Sequence, residues 1–347
     1  MSAVPVVIIG LLYTCLVIAF ASPLAERYEV VDHPAAQDHK LHAKPTPLVG
    51  GLAVIPPFAL VLLYVFFTDL TDKSRGEAVL ALLVAAVVSM TLGFLDDRKH
   101  LPAVKRLLWS TVIFLSVMAI SPEFIIAKVQ IRWLEFSVHL GALAIPFTVI
   151  CLLTFQNAVN MADGRNGLVT GLTVIWLVTL LSYDMREFTL PLLSLLAFVL
   201  LVMVANLRGR LFLGDAGSYG LGAIIGLSTI WAHQRDVNLY TTNVVTMFFL
   251  PVMDMFRLIA LRLLDYRHPF TADHHHLHHY LDQAVGWNWG LVIYLTSAAL
   301  PIALTQSGVI QPLSGLLLAG LIYLGLLLLV RRGAPQSPQE SALYSEG

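Results

Sequence analysis

Three short stretches carry acids and amides that could do chemistry in an otherwise apolar chain. "LGFLDDRK" holds Asp96 and Asp97, "NAVNMADGRNGL" holds Asn157, Asn160, Asp163 and Asn166, and "FLGDAGS" holds Asp215 between Gly214 and Gly217. Adjacent carboxylates repel, and burying one unpaired is costly. A divalent cation or a basic neighbour relieves that cost; the plain alternative for Asp96 and Asp97 is a solvated helix end partnered by Arg98 and Lys99. On a helix, Asn157 and Asn160 share a face, as do Asn160 and Asp163. Four polar residues there exceed what one helix cap uses. The glycines around Asp215 expose backbone N–H groups at a helix start, where an anion is favoured. Asp215 would itself repel a phosphate unless it held a Mg²⁺ that held the phosphate in turn. A simple N-cap is the plain alternative for Asp215.

A fourth stretch, "ADHHHLHHYL" at 272–281, places five histidines in ten positions. His274 and His278, like His275 and His279, have the i,i+4 spacing of a helical zinc site. Yet the other stretches offer carboxylate and amide oxygens, which suit Mg²⁺. Imidazoles beside a Mg²⁺-held phosphate would donate hydrogen bonds to it. The anion reading is therefore preferred over zinc. "HAKPTPLVGGLAV" adds Lys44, a serviceable phosphate ligand or a plain interfacial lysine. Asp254 lies inside an apolar run, three residues before Arg257, and reads as a structural intramembrane ion pair.

These residues must be positioned by membrane helices. Of 347 residues, 57% are hydrophobic and only 12% charged. Apolar runs near the length that crosses a bilayer recur throughout. The pattern predicts an all-α polytopic membrane protein with about eleven transmembrane helices, near 3–22, 47–68, 78–95, 106–120, 138–156, 167–183, 189–206, 217–232, 242–262, 288–307 and 312–330. Residues 1–332 read as one integral membrane domain and 333–347 as a disordered polar tail. The run "EFIIAKVQIRWLEFSV" alternates and reads as a small hairpin. Cys15 and Cys151 read as buried packing residues.

Sorting the connections by parity puts 15 of the 21 Lys and Arg residues, and ten of the twelve His, in or beside the loops after odd-numbered spans. The positive-inside rule then makes those loops cytoplasmic and the N-terminus periplasmic. All four polar stretches fall on that same side, which predicts one composite site on the cytoplasmic face. Polar loops gathering with the positive charge are the plain alternative, but Asp and Asn are not drawn by that rule.

The motifs "PLVGGLAV", "LGFLDDR", "NAVNMADG", "FLGDAGS", "PVMDM" and "PFTADHHHLHH", in that order, resemble the polyprenyl-phosphate N-acetylhexosamine-1-phosphate transferases, over roughly residues 30–330. The WecA/TagO-like branch is the most similar, and the enzyme of the first peptidoglycan lipid intermediate is a more distant relative. The resemblance implies Mg²⁺-dependent transfer of a HexNAc-1-phosphate, GlcNAc-1-phosphate first among them, from a UDP-sugar to undecaprenyl phosphate, releasing UMP and starting a cell-surface polysaccharide. Mn²⁺ is the expected substitute metal. The implied setting is the bacterial inner membrane. The implied partners are the two substrates and the bilayer, with no nucleic acid and with a homodimer allowed.

Carried over by motif, Asp96 is the implied base or nucleophile on the lipid phosphate, in one displacement or through an aspartyl intermediate. Asp97 is its paired carboxylate and a metal ligand, and Asp215 is the Mg²⁺ ligand. Asp163, His278 and His279 join the catalytic set. Lys44, Lys105, Asn157, Asn160, Asn166, Gly214 and His276 are the implied substrate-binding residues. Two positions depart from the family pattern. Asn166 stands where an acid is usual, and the lysine downstream of the acidic pair is out of register, leaving Lys105 and Arg106 both open. A transporter or metal permease with a cytoplasmic His-rich site is the rival reading, and a non-catalytic assembly subunit a third.

Overall fold

The computed structural model describes residues 3–33, 45–68, 73–131, 136–236, 238–268 and 275–333. The predicted tail beyond 333 and Lys44 lie outside these residues. α1 (Val4–Ala19) turns through 75° at Phe20 into α2 (Ala21–Tyr28). β1 (Val31–Asp32) then pairs antiparallel with β2 (Thr46–Pro47). There follow α3 (Gly50–Thr68), α4 (Lys73–Lys99) and α5 (Ala103–Ile120). A hairpin of β3 (Lys128–Ile131) and β4 (Phe136–His139) matches the alternating run, with Val129 opposite Val138. The remaining helices are α6 (Ala144–Ala162), α7 (Leu168–Leu181), α8 (Thr189–Leu207), α9 (Gly214–Arg235), α10 (Thr241–Leu264), α11 (Leu277–Val285), α12 (Trp287–Gln306) and α13 (Pro312–Gly333).

Each of the eleven predicted spans corresponds to a helix, but not all are long and apolar enough to cross a membrane. Among the described residues eight helices meet that test, or nine when the bent α1–α2 pair is taken as one span. The chain is thus a multi-pass helical membrane protein. α7 has 14 residues, roughly 21 Å at 1.5 Å per residue, short of a ~30 Å hydrocarbon core. α9 is long enough, but its sequence "GDAGSYGLGAIIGLSTIWAHQR" is rich in glycine and polar groups. Nearly every residue from Gly214 to His233 is buried, because α9 packs against α3, α4, α6 and α7. A helix enclosed by protein has no need of an apolar face for lipid.

Close packing around α9 depends on small residues, as between membrane helices generally. A Cβ on Gly93 of α4 would lie 2.1 Å from the Asp215 carbonyl oxygen. Phe155, Trp176 and Phe248 form an aromatic cluster, with centroids 4.0–5.4 Å apart, and the Trp176 indole N–H donates to the Met247 carbonyl at 2.9 Å. Cys151 is partly buried, but Cys15 is exposed on α1 rather than packed inside, on a face of α1 that none of the described residues covers.

Candidate active site

The site is built around the N-terminus of α9. Helix starts leave backbone N–H groups without helical partners. Here the Asp97 carboxylate, in the last turn of α4, accepts from Asp215 N–H at 2.9 Å and Ala216 N–H at 3.0 Å. Gly214 adopts φ +74°, and a Cβ there would come within 2.9 Å of Asp97 Oδ2. This corrects one expectation. Those two amides do not lie open to a phosphate, because a carboxylate from another helix already caps them, and Gly214 serves to let that carboxylate in.

The other acids gather on the same spot. Asp215 Oδ1 accepts from the Asn160 amide at 2.5 Å, and Asn160 also donates to Ser218 Oγ at 3.0 Å. Asp96, 2% exposed, accepts from Arg106 at 2.8 Å and from Leu101 N–H at 2.7 Å. It is also within hydrogen-bonding reach of Asp215. Asp163 follows the end of α6, and burial together with the charge of Asp97 pushes its carboxyl up to about 7. The segment before α9 is stitched to the Pro/Gly stretch: Phe212 N–H donates to Pro47 O at 2.8 Å, and Gly50 and Gly51 N–H donate to Phe212 O and Leu213 O.

The histidine segment packs on the loop that follows Asp163. His278 is buried, and a Cβ on Gly164 would lie 2.6 Å from its Nε2, which puts the ring directly on the loop after Asp163. His276 stacks on His278 with centroids 5.0 Å apart, and His279 lies 4.3 Å from His278. Arg165 pairs with Asp282 of α11, and the Trp287 indole donates to the Asn166 carbonyl at 2.7 Å. The Asp254–Arg257 ion pair is present as read, at 2.7 Å.

Some expected residues stand apart. Asn157 turns its amide back to Leu153 O of its own helix at 2.7 Å. Between Lys105 and Arg106, only Arg106 reaches the acids, while Lys105 is exposed. His274 lies outside the described residues. Several residues on the site went unread in the sequence. Asp32 acts on the charge of Asp97. Tyr219 faces Arg106 and Asp215. Asn206 links the two loops, accepting from Gly167 N–H at 2.6 Å and donating to Leu211 O at 2.9 Å. Asp32 sits in the same Lys- and His-rich connection as Lys44, which was the one available signal.

Among the described residues no three His, Cys, Asp or Glu side chains are closed around a common point for a metal. The chemistry of the donor set nevertheless suits a hard cation. Asp97 stands within electrostatic reach of Asp96, Asp163 and Asp215, and Arg106 is a cation that faces Asp96 and Asp215. Hard oxygen donors with excess negative charge are what Mg²⁺ takes. Beside the cluster, a cavity of about 630 Å³ lies between α1, α2, α3 and α4, lined by Tyr13, Leu16, Phe20, Tyr28, Leu52 and Phe94 among others. Phe94 is one helical turn from Asp97.

Residues 79–233 match the profile of glycosyl transferase family 4. That segment holds Asp96, Asp97, Asn160, Asp163 and Asp215, the residues gathered at the start of α9. Along most of its length the chain is similar to proteins named as polyprenyl-phosphate N-acetylglucosamine-1-phosphate transferases. It is 28% identical over 307 residues to a probable undecaprenyl-phosphate N-acetylglucosaminyl 1-phosphate transferase of Bacillus subtilis, covering 83% of this chain and 81% of the relative. It is 28% identical over 299 residues to the decaprenyl-phosphate N-acetylglucosaminephosphotransferase of Mycobacterium leprae, covering 75% and 72%. It is 26% identical over 306 residues to the undecaprenyl-phosphate alpha-N-acetylglucosaminyl 1-phosphate transferase of Escherichia coli K12, covering 84% and 80%. The histidine segment and Asp254 lie beyond the matched family 4 segment.

Proposed function

We propose that this chain transfers N-acetylglucosamine-1-phosphate from UDP-GlcNAc to a polyprenyl phosphate, undecaprenyl phosphate foremost, at the cytoplasmic face of a bacterial inner membrane. The observation that carries the reading is the convergence of Asp96, Asp97, Asn160, Asp163 and Asp215 at the start of α9, with His278 on the loop after Asp163 and an apolar cavity one helical turn from Asp97. Acids alone repel two phosphate substrates. Asp97 and Asp215 would hold Mg²⁺, which supplies the positive charge that phosphoryl transfer needs. The cavity beside Phe94 suits the first isoprene units of the lipid, with its phosphate toward Asp97.

In the reaction an oxygen of the lipid phosphate attacks the sugar-bearing phosphorus of UDP-GlcNAc. The bond from that phosphorus to the bridging oxygen breaks, and UMP leaves with the bridging oxygen. The lipid phosphate gives up its remaining proton to a base on the protein. Asp96 is tied by Arg106 and Leu101 N–H, and Asp97 caps α9. Asp163, with its carboxyl at about 7, is placed to accept a proton near neutral pH, where a general base works best. Arg106 holds Asp96 in place, and His278 and His279 would donate hydrogen bonds to the donor's phosphates.

The test uses membranes bearing the protein, undecaprenyl phosphate and UDP-GlcNAc labelled in both the sugar and the β-phosphorus. Both labels should enter a lipid-soluble product together, with one UMP released for each, and EDTA should stop the transfer. Sugar transfer without the phosphorus label, or transfer unaffected by EDTA, contradicts the reading.

A further inference from the structure

Asp254 is 4% exposed within α10, and its two oxygens face different partners. Oδ1 accepts from Arg257 Nη2 at 2.7 Å and Nε at 3.2 Å, and from the Tyr323 hydroxyl of α13 at 3.2 Å. Oδ2 accepts from His276 Nδ1 at 3.1 Å and from Leu277 N–H at 3.1 Å. Leu277 opens α11, whose own N-cap residue, His276, offers no side-chain cap. Arg257 also donates to the His275 carbonyl. One ion pair on α10 therefore grips three consecutive residues, 275 to 277. Satisfying Arg257 requires only Oδ1; the second oxygen is spent on the histidine segment.

The consequence falls on His276. A carboxylate accepts only, so the imidazole nitrogen facing it carries the hydrogen. With Nδ1 as the N–H, the working atom of the neutral ring is Nε2. His276 stacks on His278, which meets the loop after Asp163. The groups facing Asp254 from every packed element are Arg257 of α10, Tyr323 of α13, Tyr294 of α12 and His276 itself.

We propose that Asp254 is a positioning residue for the transfer reaction: it fixes His276 as the Nδ1–H tautomer and, by capping α11 from another helix, sets the turn that carries His278 and His279. This rests on the proposed transferase reading, and it adds a dependence of the site on α13 through Tyr323.

The experiment reads tautomer and turnover separately. Protein labelled with ¹⁵N-histidine in lipid bilayers should show neutral imidazoles protonated at Nδ1, the less common form, from His233, whose Nδ1 meets the Leu239 carbonyl, and from His276, and His276→Gln should remove the His276 signal alone. Asp254→Asn should convert it to the Nε2–H form, and should lower kcat about 10–100-fold, the usual loss when a group orienting a histidine is removed, with KM for UDP-GlcNAc little changed. Asp254→Glu should recover part of kcat. The double variant Asp254→Asn with His276→Gln should be no slower than the slower single one, since residues acting as a unit are not additive. His276 protonated at Nε2 in the unmodified protein overturns the proposal, and so do multiplicative losses in the double variant. Should Asp254→Asn fail to fold, the unmodified protein and His276→Gln still decide the tautomer. An unmodified protein that shows the tautomer but transfers no label sinks the transferase reading and leaves the hydrogen-bond assignment standing.

Discussion

Asp96, Asp97 and Asp215 each have a distinct partner while Asp163 is held by burial beside Asp97, and these settings assign different sensitivities to substitution. Asp96 is buried against Arg106, so Arg106→Ala would strand a charge in a dry place, a change that costs about 3–5 kcal/mol when a buried pair loses one member. Arg106→Ala should therefore lose at least tenfold in transfer rate together with stability, whereas Lys105→Ala, on an exposed residue, should do neither. Measured turnover and thermal unfolding of the two variants in detergent check this. Asp163 makes a prediction of opposite sign. Its carboxyl is raised in the folded protein from 3.8 to about 7 by burial and by Asp97. Between those values the unfolded chain releases this proton while the folded one keeps it, so metal-free stability falls as pH rises from about 4 to about 7, and is flat for this group beyond. Unfolding scans in EDTA should show that decline, and Asp163→Asn should flatten it. A metal-free protein that grows more stable over this range because of Asp163 would contradict the assignment.

At the scale of elements, the site depends on how closely α4, α9 and the loop after α6 approach. Gly93→Ala would drive a methyl into the Asp215 backbone, and Gly164→Ala into the His278 ring. The first contact is with backbone that cannot give, so Gly93→Ala should abolish folded protein. The second meets a side chain, so Gly164→Ala should fold, with turnover reduced roughly 10–100-fold as His278 shifts, by analogy with other displaced orienting groups. Size-exclusion profiles and turnover of the two variants separate these outcomes. What the sequence makes legible at this scale follows from physics. Asp97, Asn160, Asp163 and Asp215 stand out because acids and amides at the ends of apolar runs demand partners. The capping of α9 by Asp97 is invisible in sequence, since the partners lie 118 residues apart. The i,i+3 pairing of Asp254 with Arg257 is a local pattern and readable; its grip on His276 is not. α2 is hidden because "ASPLAERY" is too short and too polar to register as a span.

For the whole molecule, apolar periodicity locates eleven helices, of which eight, or nine with the bent α1–α2 pair, are by length and composition alone apolar enough to cross a bilayer among the described residues. Hydropathy assumes that a helix faces lipid, and α9 faces protein on all sides. The same bundle places the cavity of about 630 Å³ one turn from Asp97. Leu52→Trp should fill part of it and raise KM for undecaprenyl phosphate severalfold, leaving KM for UDP-GlcNAc and transfer to a short-chain polyprenyl phosphate nearly unchanged. Steady-state kinetics with the two lipid acceptors distinguish this from a general loss of activity. The central claim is that acids from separate helices serve one metal-assisted phosphate transfer at the start of α9. Its most direct test is turnover of purified protein, reconstituted with undecaprenyl phosphate and Mg²⁺, compared with Asp215→Asn at matched amounts of folded protein. The account predicts at least a hundredfold loss in the variant, and a variant that transfers at the unmodified rate would contradict it.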